Sequence, residues 1–126
     1  MSLKCIVIDD EPPALNLIRD YISRSPGLLL LDTFKDTASG AAYLAQNEVD
    51  LVFLDINLPN IAVVDQATPA EKKPMVIFMT AHKDFTFDRF QREAIDYILK
   101  PLDFDRFSRA VFKAADYKSY KMLHKK

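Results

Sequence analysis

The stretch CIVIDDE, residues 5–11, joins a run of apolar residues to three consecutive carboxylates. The apolar part does not alternate with polar residues, which is typical of a parallel strand covered on both faces. Asp9, Asp10 and Glu11 follow at the point where such a strand ends. The stretch therefore predicts an α/β sheet with acidic side chains at the carboxyl end of its first strand.

Four further runs have the same apolar character. They are LLLLDTF, LVFL, MVIFM and YIL, at 28–34, 51–54, 75–79 and 97–99. The leucine run at 28–34 is also compatible with a helix, but Pro26 and Gly27 just before it favour a strand. Helical patterns separate the runs. Five strands, each followed by a helix, predict a doubly wound α/β domain, which binds ligands beyond the carboxyl ends of its strands.

The predicted helices differ in the clarity of their signals. The first carries apolar residues at helical spacing: Ala14, Leu15, Ile18 and Ile22. Either Thr37 or Ser39 could cap the second helix, and Asp103 could cap the last one. Residues 84–93 also have a helical pattern. The weakest helix is predicted at 60–73, because β-branched residues and a proline interrupt that stretch.

Composition excludes several classes of protein. The 126 residues allow one domain, and a net charge of −1 gives no reason to expect a nucleic-acid surface. The lysine-rich stretch 118–126 is interpreted as a solvated helix end. Cys5 has no partner for an internal disulfide, so we expect a buried small residue and a reducing, cytoplasmic location. No signal peptide or membrane span is expected, because the apolar runs are too short.

Polar side chains follow the predicted strands at one edge of the sheet: Asp9 and Asp10, Asp55, Thr80, and Lys100. Taken singly, each residue has an ordinary structural interpretation as a cap, a turn residue or a solvated charge. Their joint placement favours a functional site. Without a cation the three aspartates repel one another, so at least one pKa should rise. Mg²⁺ would relieve that repulsion and leave room for phosphate oxygens.

At this point the sequence resembles a known family. VIDDEPPAL, VFLDINLP, IFMTAH and AIDYILKP resemble the successive motifs of response regulator receiver domains. DYILKPLDFDRF and the DDEPPA opening most resemble receivers that precede a LytTR-type DNA-binding domain. The resemblance implies a flavodoxin-like parallel sheet of order 2-1-3-4-5 with helices on both faces. It assigns residues 1–116 to the receiver domain, and 117–126 to the end of the last helix and the start of a linker.

The resemblance also implies roles for the residues at the strand ends. Asp55 would be the phosphoacceptor. Asp10 would bind Mg²⁺ directly, Asp9 would hold it largely through water, and the backbone carbonyl of Asn57 would add a ligand. Lys100 would neutralise charge on the transferred phosphoryl group. The domain would catalyse only its own phosphorylation and autodephosphorylation.

Further residues would control the response to phosphorylation. Thr80 and Tyr97 resemble the family's switch pair, whose movement alters the surface formed by helix 4, strand 5 and helix 5. Core packing is the alternative for Tyr97. Asn57 and His82 would flank the pocket, and we hypothesise that His82 modulates phosphate lifetime, with a solvent-exposed histidine as the alternative. Pro101 would follow a cis peptide bond, although trans is commoner in general.

One loop departs from the family pattern. Receivers usually carry a glycine soon after the proline that follows the acceptor, but Val63 occupies that position here. Either the loop takes a different path, or the third helix is short and irregular. Because the loop borders the pocket, the departure bears on phosphate lifetime and on partner access.

The partners that the resemblance implies are a sensor histidine kinase and a second copy of the domain. Dimerisation would use the face formed by helix 4, strand 5 and helix 5, near Phe85, Phe87 and Phe90. DNA binding would need an output domain beyond this chain, and a stand-alone receiver is the alternative. Two other functions remain as alternatives. A haloacid-dehalogenase-type phosphatase would need a second aspartate where Asn57 stands, and a docking module would work without phosphorylation.

Overall fold

The computed structural model describes residues 2–81 and 94–124. Its five strands are β1 Leu3–Ile8, β2 Leu28–Phe34, β3 Leu51–Asp55, β4 Met75–Thr80 and β5 Ala94–Leu99. All neighbouring pairs are parallel, and the strand order is β2-β1-β3-β4-β5. The predicted doubly wound sheet and its order are confirmed.

The described helices are α1 Pro12–Ser23, α2 Thr37–Gln46, α3 Ala62–Gln66 and α4 Phe104–Leu123. A short 3-10 helix lies at Ala70–Lys72. The predicted helix at 84–93 lies outside the described residues, so α4 is the helix that the sequence predicted as the last one. It continues to Leu123, within the stretch 117–126 that was assigned to the end of the last helix and the start of a linker. The domain boundary at residue 116 stays a prediction. No helix in the described part of the chain is long and apolar enough to cross a membrane.

The alternation of side chains along β1 divides the core between the two faces of the sheet. Cys5 and Val7 pack with residues of α1 and α4, whereas Ile6 and Ile8 pack with residues of α2 and α3. Burial raises the pKa of the Cys5 thiol to about 12, which fits the predicted small buried residue. On the second face, Gly40 of α2 leaves no space for a Cβ atom against Ile8, the last residue of β1. The helix therefore packs closely on the strand end that precedes Asp9.

The helix caps are partly as predicted. Asp103 caps α4, since its carboxylate accepts a hydrogen bond from the backbone N–H of Arg106. The prediction of Thr37 or Ser39 as the cap of α2 is wrong. Asp36 is the cap, and its side chain accepts a hydrogen bond from the backbone N–H of Ser39 at 2.7 Å.

The loop after β3 has its left-handed residue three positions before Val63. Asn60 takes the left-handed conformation, with φ of 59°, which asparagine tolerates better than most residues. Val63 lies inside α3, which is only 5 residues long. The alternative of a short, irregular third helix is therefore confirmed.

Candidate functional site

Asp55 is the last residue of the central strand β3, and its side chain is buried. The backbone N–H of Asn57 donates a hydrogen bond to Asp55 Oδ1 at 2.9 Å. The turn is fixed to the sheet, because the N–H of Ile56 donates to the carbonyl of Met79 at 3.0 Å. One carboxylate oxygen of Asp55 is thus held by its own turn, and the other faces Lys100.

Lys100 directly follows β5, and its ammonium group lies among carboxylates. Its Nζ is 2.9 Å from Asp9 Oδ2 and 3.4 Å from Asp55 Oδ2, and it also donates to the carboxylate of Glu11. The backbone N–H of Lys100 donates to the carbonyl of Thr80 at 2.8 Å, so pairing of β4 with β5 sets its position. The peptide bond between Lys100 and Pro101 is cis, as predicted.

Among the described residues, negative charge exceeds positive charge in this pocket. Carboxylate oxygens of Asp9, Glu11 and Asp55 lie within 4.8 Å of one another, and Lys100 is the cation they share. Burial raises the pKa of Asp55 and Asp9 adds to the effect, while the N–H of Asn57 and Lys100 oppose it. The rise agrees in direction with the predicted rise of one pKa in the cluster, but burial is its main cause and repulsion by Asp9 a smaller one. Burial also disfavours the charge on Lys100, but Glu11, Asp9 and Asp55 outweigh it and raise the Lys100 pKa.

The donor set of the pocket suits a hard divalent cation. Asp9 is fully buried, and its Oδ2 has no hydrogen bond with the described residues, although Lys100 lies within ion-pair distance. Because Lys100 is shared with Glu11 and Asp55, a second cation beside this buried oxygen would be stabilising. Mg²⁺ binds through one or two carboxylates and keeps several waters, which fits this all-oxygen site.

The structure brings together a different set of three carboxylates from the one that the sequence predicted. Asp9 and Asp55 are in it, but Glu11 takes the place of Asp10, whose side chain is exposed. The signal for Glu11 was its position directly before α1, where it is the N-cap residue. The direct Mg²⁺ role of Asp10 stays a prediction, as does the role of the Asn57 carbonyl.

The predicted switch residues lie on neighbouring strands. Thr80 ends β4 and is fully buried, and Tyr97 is half-buried on β5. Thr80 pairs with Leu99, two residues beyond Tyr97, so both side chains lie near the carboxyl edge of the sheet. This placement is compatible with a switch pair, which stays a prediction. His82 lies outside the described residues.

Comparison with known families and proteins gives a consistent result. The family model described as "Response regulator receiver domain" matches residues 5–112. The sensory transduction protein LytR of Staphylococcus haemolyticus is 37% identical over 114 residues, which cover 88% of this chain and 44% of that protein. The transcriptional regulatory protein YpdB of Escherichia coli is 32% identical over 109 residues, covering 84% of this chain and 45% of that protein. The chain thus spans less than half the length of these relatives.

Solved structures agree on the fold. The response regulatory domain of protein mrkE from Klebsiella pneumoniae superposes with a TM-score of 0.78 at 30% identity, covering 91% of this chain and 97% of that one. The receiver domain of AraT from Geobacillus stearothermophilus has a TM-score of 0.81, covering 97% and 99% of the two chains, but only 22% identity. The second likeness bears on the fold alone.

Proposed function

The chain belongs to the family of response regulator receiver domains, which are signalling domains, and from this premise we propose that Asp55 accepts a phosphoryl group from a sensor histidine kinase. One observation carries the proposal. The buried carboxylate of Asp55 is held through Oδ1 by the N–H of Asn57, while Oδ2 faces Lys100 at 3.4 Å. Such a carboxylate is oriented for attack through a single oxygen.

In the proposed reaction, Asp55 Oδ2 forms a bond to phosphorus while the bond from phosphorus to the donor breaks. The donor leaves with the electron pair of that bond, and an aspartyl phosphate remains on the domain. Phosphoryl transfer needs mainly positioning and neutralisation of charge. Lys100 supplies a positive charge next to the acceptor, and bound Mg²⁺ would supply further neutralisation. Asp9 and Asp55 would hold the metal together with Asp10 and the carbonyl of Asn57.

We propose that the response reaches an output through Thr80 and Tyr97. A hydroxyl at the end of β4 could bond the new phosphoryl group, and the ring of Tyr97 on β5 would then turn inward. The affected surface includes β5 and α4, and a second copy of the domain would bind there. Similarity to LytR and YpdB supports transcription as the output, through a LytTR-type DNA-binding domain beyond this chain.

The test is phosphorylation of the purified chain by acetyl phosphate, read by intact mass. The wild type should gain one phosphoryl group when Mg²⁺ is present, and none when Mg²⁺ is chelated. Asp55→Asn should gain none, whereas Asp20→Asn, which changes an exposed carboxylate on α1, should behave as the wild type. A folded wild-type chain that gains no phosphoryl group would contradict the proposal and favour a docking module.

A further inference from the structure

Glu11 lies at the mouth of the pocket and reaches into it. Its backbone is anchored on both sides, because its N–H donates to Asp9 Oδ1 at 2.9 Å and its carbonyl accepts from the N–H of Leu15 at 3.0 Å. The side chain is 57% exposed, yet its carboxylate accepts a hydrogen bond from Lys100 Nζ. An exposed acid at the start of α1 therefore contacts a cation that is otherwise enclosed.

The position of Lys100 reflects the competition among its partners. Its side chain is only 12% exposed, so few waters replace a lost carboxylate. The ammonium lies nearer to Asp9, at 2.9 Å, than to Asp55, at 3.4 Å. Asp9 and Glu11 both follow β1, so together they draw Lys100 toward that strand. Lys100 still donates a hydrogen bond to Asp55 Oδ2, but at the longer distance of 3.4 Å.

We propose that Glu11 is a positioning residue, which limits the closer approach of Lys100 to Asp55 in the unphosphorylated domain and releases Lys100 when a phosphoryl group arrives. This inference rests on the proposed function. The exchange is favourable because a phosphoryl dianion offers a lysine stronger charge-assisted hydrogen bonds than a half-exposed carboxylate does. Glu11 would thus restrain phosphorylation until a donor is bound.

Two substitutions separate the positioning of Lys100 from two simpler roles of Glu11, repulsion of an anionic donor and binding of the metal. Glu11→Gln removes the charge, and Glu11→Asp keeps the charge but shortens the reach toward Lys100. Both should accelerate phosphorylation by acetyl phosphate about two- to fivefold, the range expected for losing a partly exposed ion pair. Glu48→Gln is the matched control, because Glu48 is an exposed carboxylate paired with Lys4 at 3.0 Å. It should leave the rate unchanged.

The experiment includes a test that Glu11 acts through Lys100. In a Lys100→Gln background, Glu11→Gln should no longer change the rate of phosphorylation, since the residue that it positions is absent. A Glu11 effect of the same size in that background would overturn the inference. The Mg²⁺ concentration for half-maximal phosphorylation should differ less than twofold between the wild type and Glu11→Gln.

Three other results would contradict the inference while leaving the proposed function intact. If Glu11→Asp matches the wild type while Glu11→Gln is faster, repulsion of the anionic donor explains the effect. If Glu11→Gln needs about tenfold more Mg²⁺, Glu11 is a metal ligand. If the wild type is phosphorylated and both variants are phosphorylated at the same rate, the positioning role is wrong but the proposed function stands. A wild type that gains no phosphoryl group removes the proposed function as well.

Discussion

Asp55 and Asp96 are both buried aspartates on strands of one sheet, but their charges are balanced in opposite ways. Asp96 on β5 accepts two hydrogen bonds of 2.8 Å from the guanidinium of Arg106, and Lys113 lies 3.2 Å away. Asp55 has one hydrogen bond from its own turn and shares Lys100 with two other carboxylates.

The pKa values follow this difference. Burial opposes the charge on both aspartates. At Asp96 the hydrogen bonds from Arg106 and from the N–H of Tyr97 outweigh burial and lower the pKa. At Asp55 burial prevails and the pKa is raised. Burial acts on both aspartates, and the number of cations per carboxylate thus separates the aspartate whose pKa is lowered from the one whose pKa is raised.

The largest expected effect on stability is that of removing the negative charge of Asp96. Asp96→Asn should lower the free energy of unfolding by about 2–3 kcal/mol, because it disrupts charged hydrogen bonds to Arg106 that join β5 to α4. Urea denaturation measures the change. Asp103→Asn is the control, since asparagine caps a helix about as well as aspartate. A loss no larger than that of the control would contradict the comparison.

Asp55→Asn should act in the opposite direction. With divalent cations chelated, it should raise the free energy of unfolding by about 1 kcal/mol, because it removes a buried charge whose pKa is raised. The same denaturation experiment gives the value. If Asp55→Asn is destabilising while it still folds, the pocket is not short of positive charge.

The changes in the free energy of unfolding caused by Asp96→Asn and by Asp55→Asn should have opposite signs at neutral pH. Both changes should become smaller in acid. The lowered pKa of Asp96 stabilises the fold above its ordinary value of 3.8, and this contribution is lost as the pH falls through the folded pKa. The raised pKa of Asp55 favours the fold below its ordinary value of 3.8, and this contribution is lost as the pH rises through the folded pKa. Urea denaturation of the wild type and both variants at neutral and acidic pH tests this. If the difference in stability between either variant and the wild type grows in acid, the direction of that aspartate's pKa shift is wrong.

The smallest effect is that of Mg²⁺ on stability. At a concentration equal to its dissociation constant, Mg²⁺ should stabilise the wild type by about 0.4 kcal/mol. Asp9→Asn should reduce this gain, since Asp9 Oδ2 is a buried carboxylate oxygen at the proposed metal site. Ca²⁺-free thermal unfolding at several Mg²⁺ concentrations measures it. If Mg²⁺ stabilises Asp9→Asn as much as the wild type, the cation binds at another site.

The sequence predicted most of the strands, because buried parallel strands are continuous apolar runs. It also predicted most of the polar residues at the carboxyl edge of the sheet, because they directly follow those runs. It did not predict which of three consecutive carboxylates faces the pocket. That depends on how the chain turns from β1 into α1, where Asp10 is exposed and Glu11 meets Lys100. The partners of Asp96 were also missed, since Arg106 lies 10 residues away on another element.

Local competition explains the remaining errors. Asp36, Thr37 and Ser39 are all good caps, so only the geometry of the α2 start selects Asp36. Likewise, the left-handed turn after β3 falls on Asn60 rather than on the position usually held by glycine. In each case several residues suited the role, and tertiary structure chose among them.

Chemical trapping of the phosphorylated residue tests the central claim most directly. After treatment with acetyl phosphate and Mg²⁺, borohydride reduces an aspartyl phosphate to homoserine, and peptide mass spectrometry locates it. The account predicts homoserine at position 55 and unmodified aspartate at position 96. Homoserine at another aspartate, or none in a folded chain, would contradict the assignment of Asp55 as the phosphoacceptor.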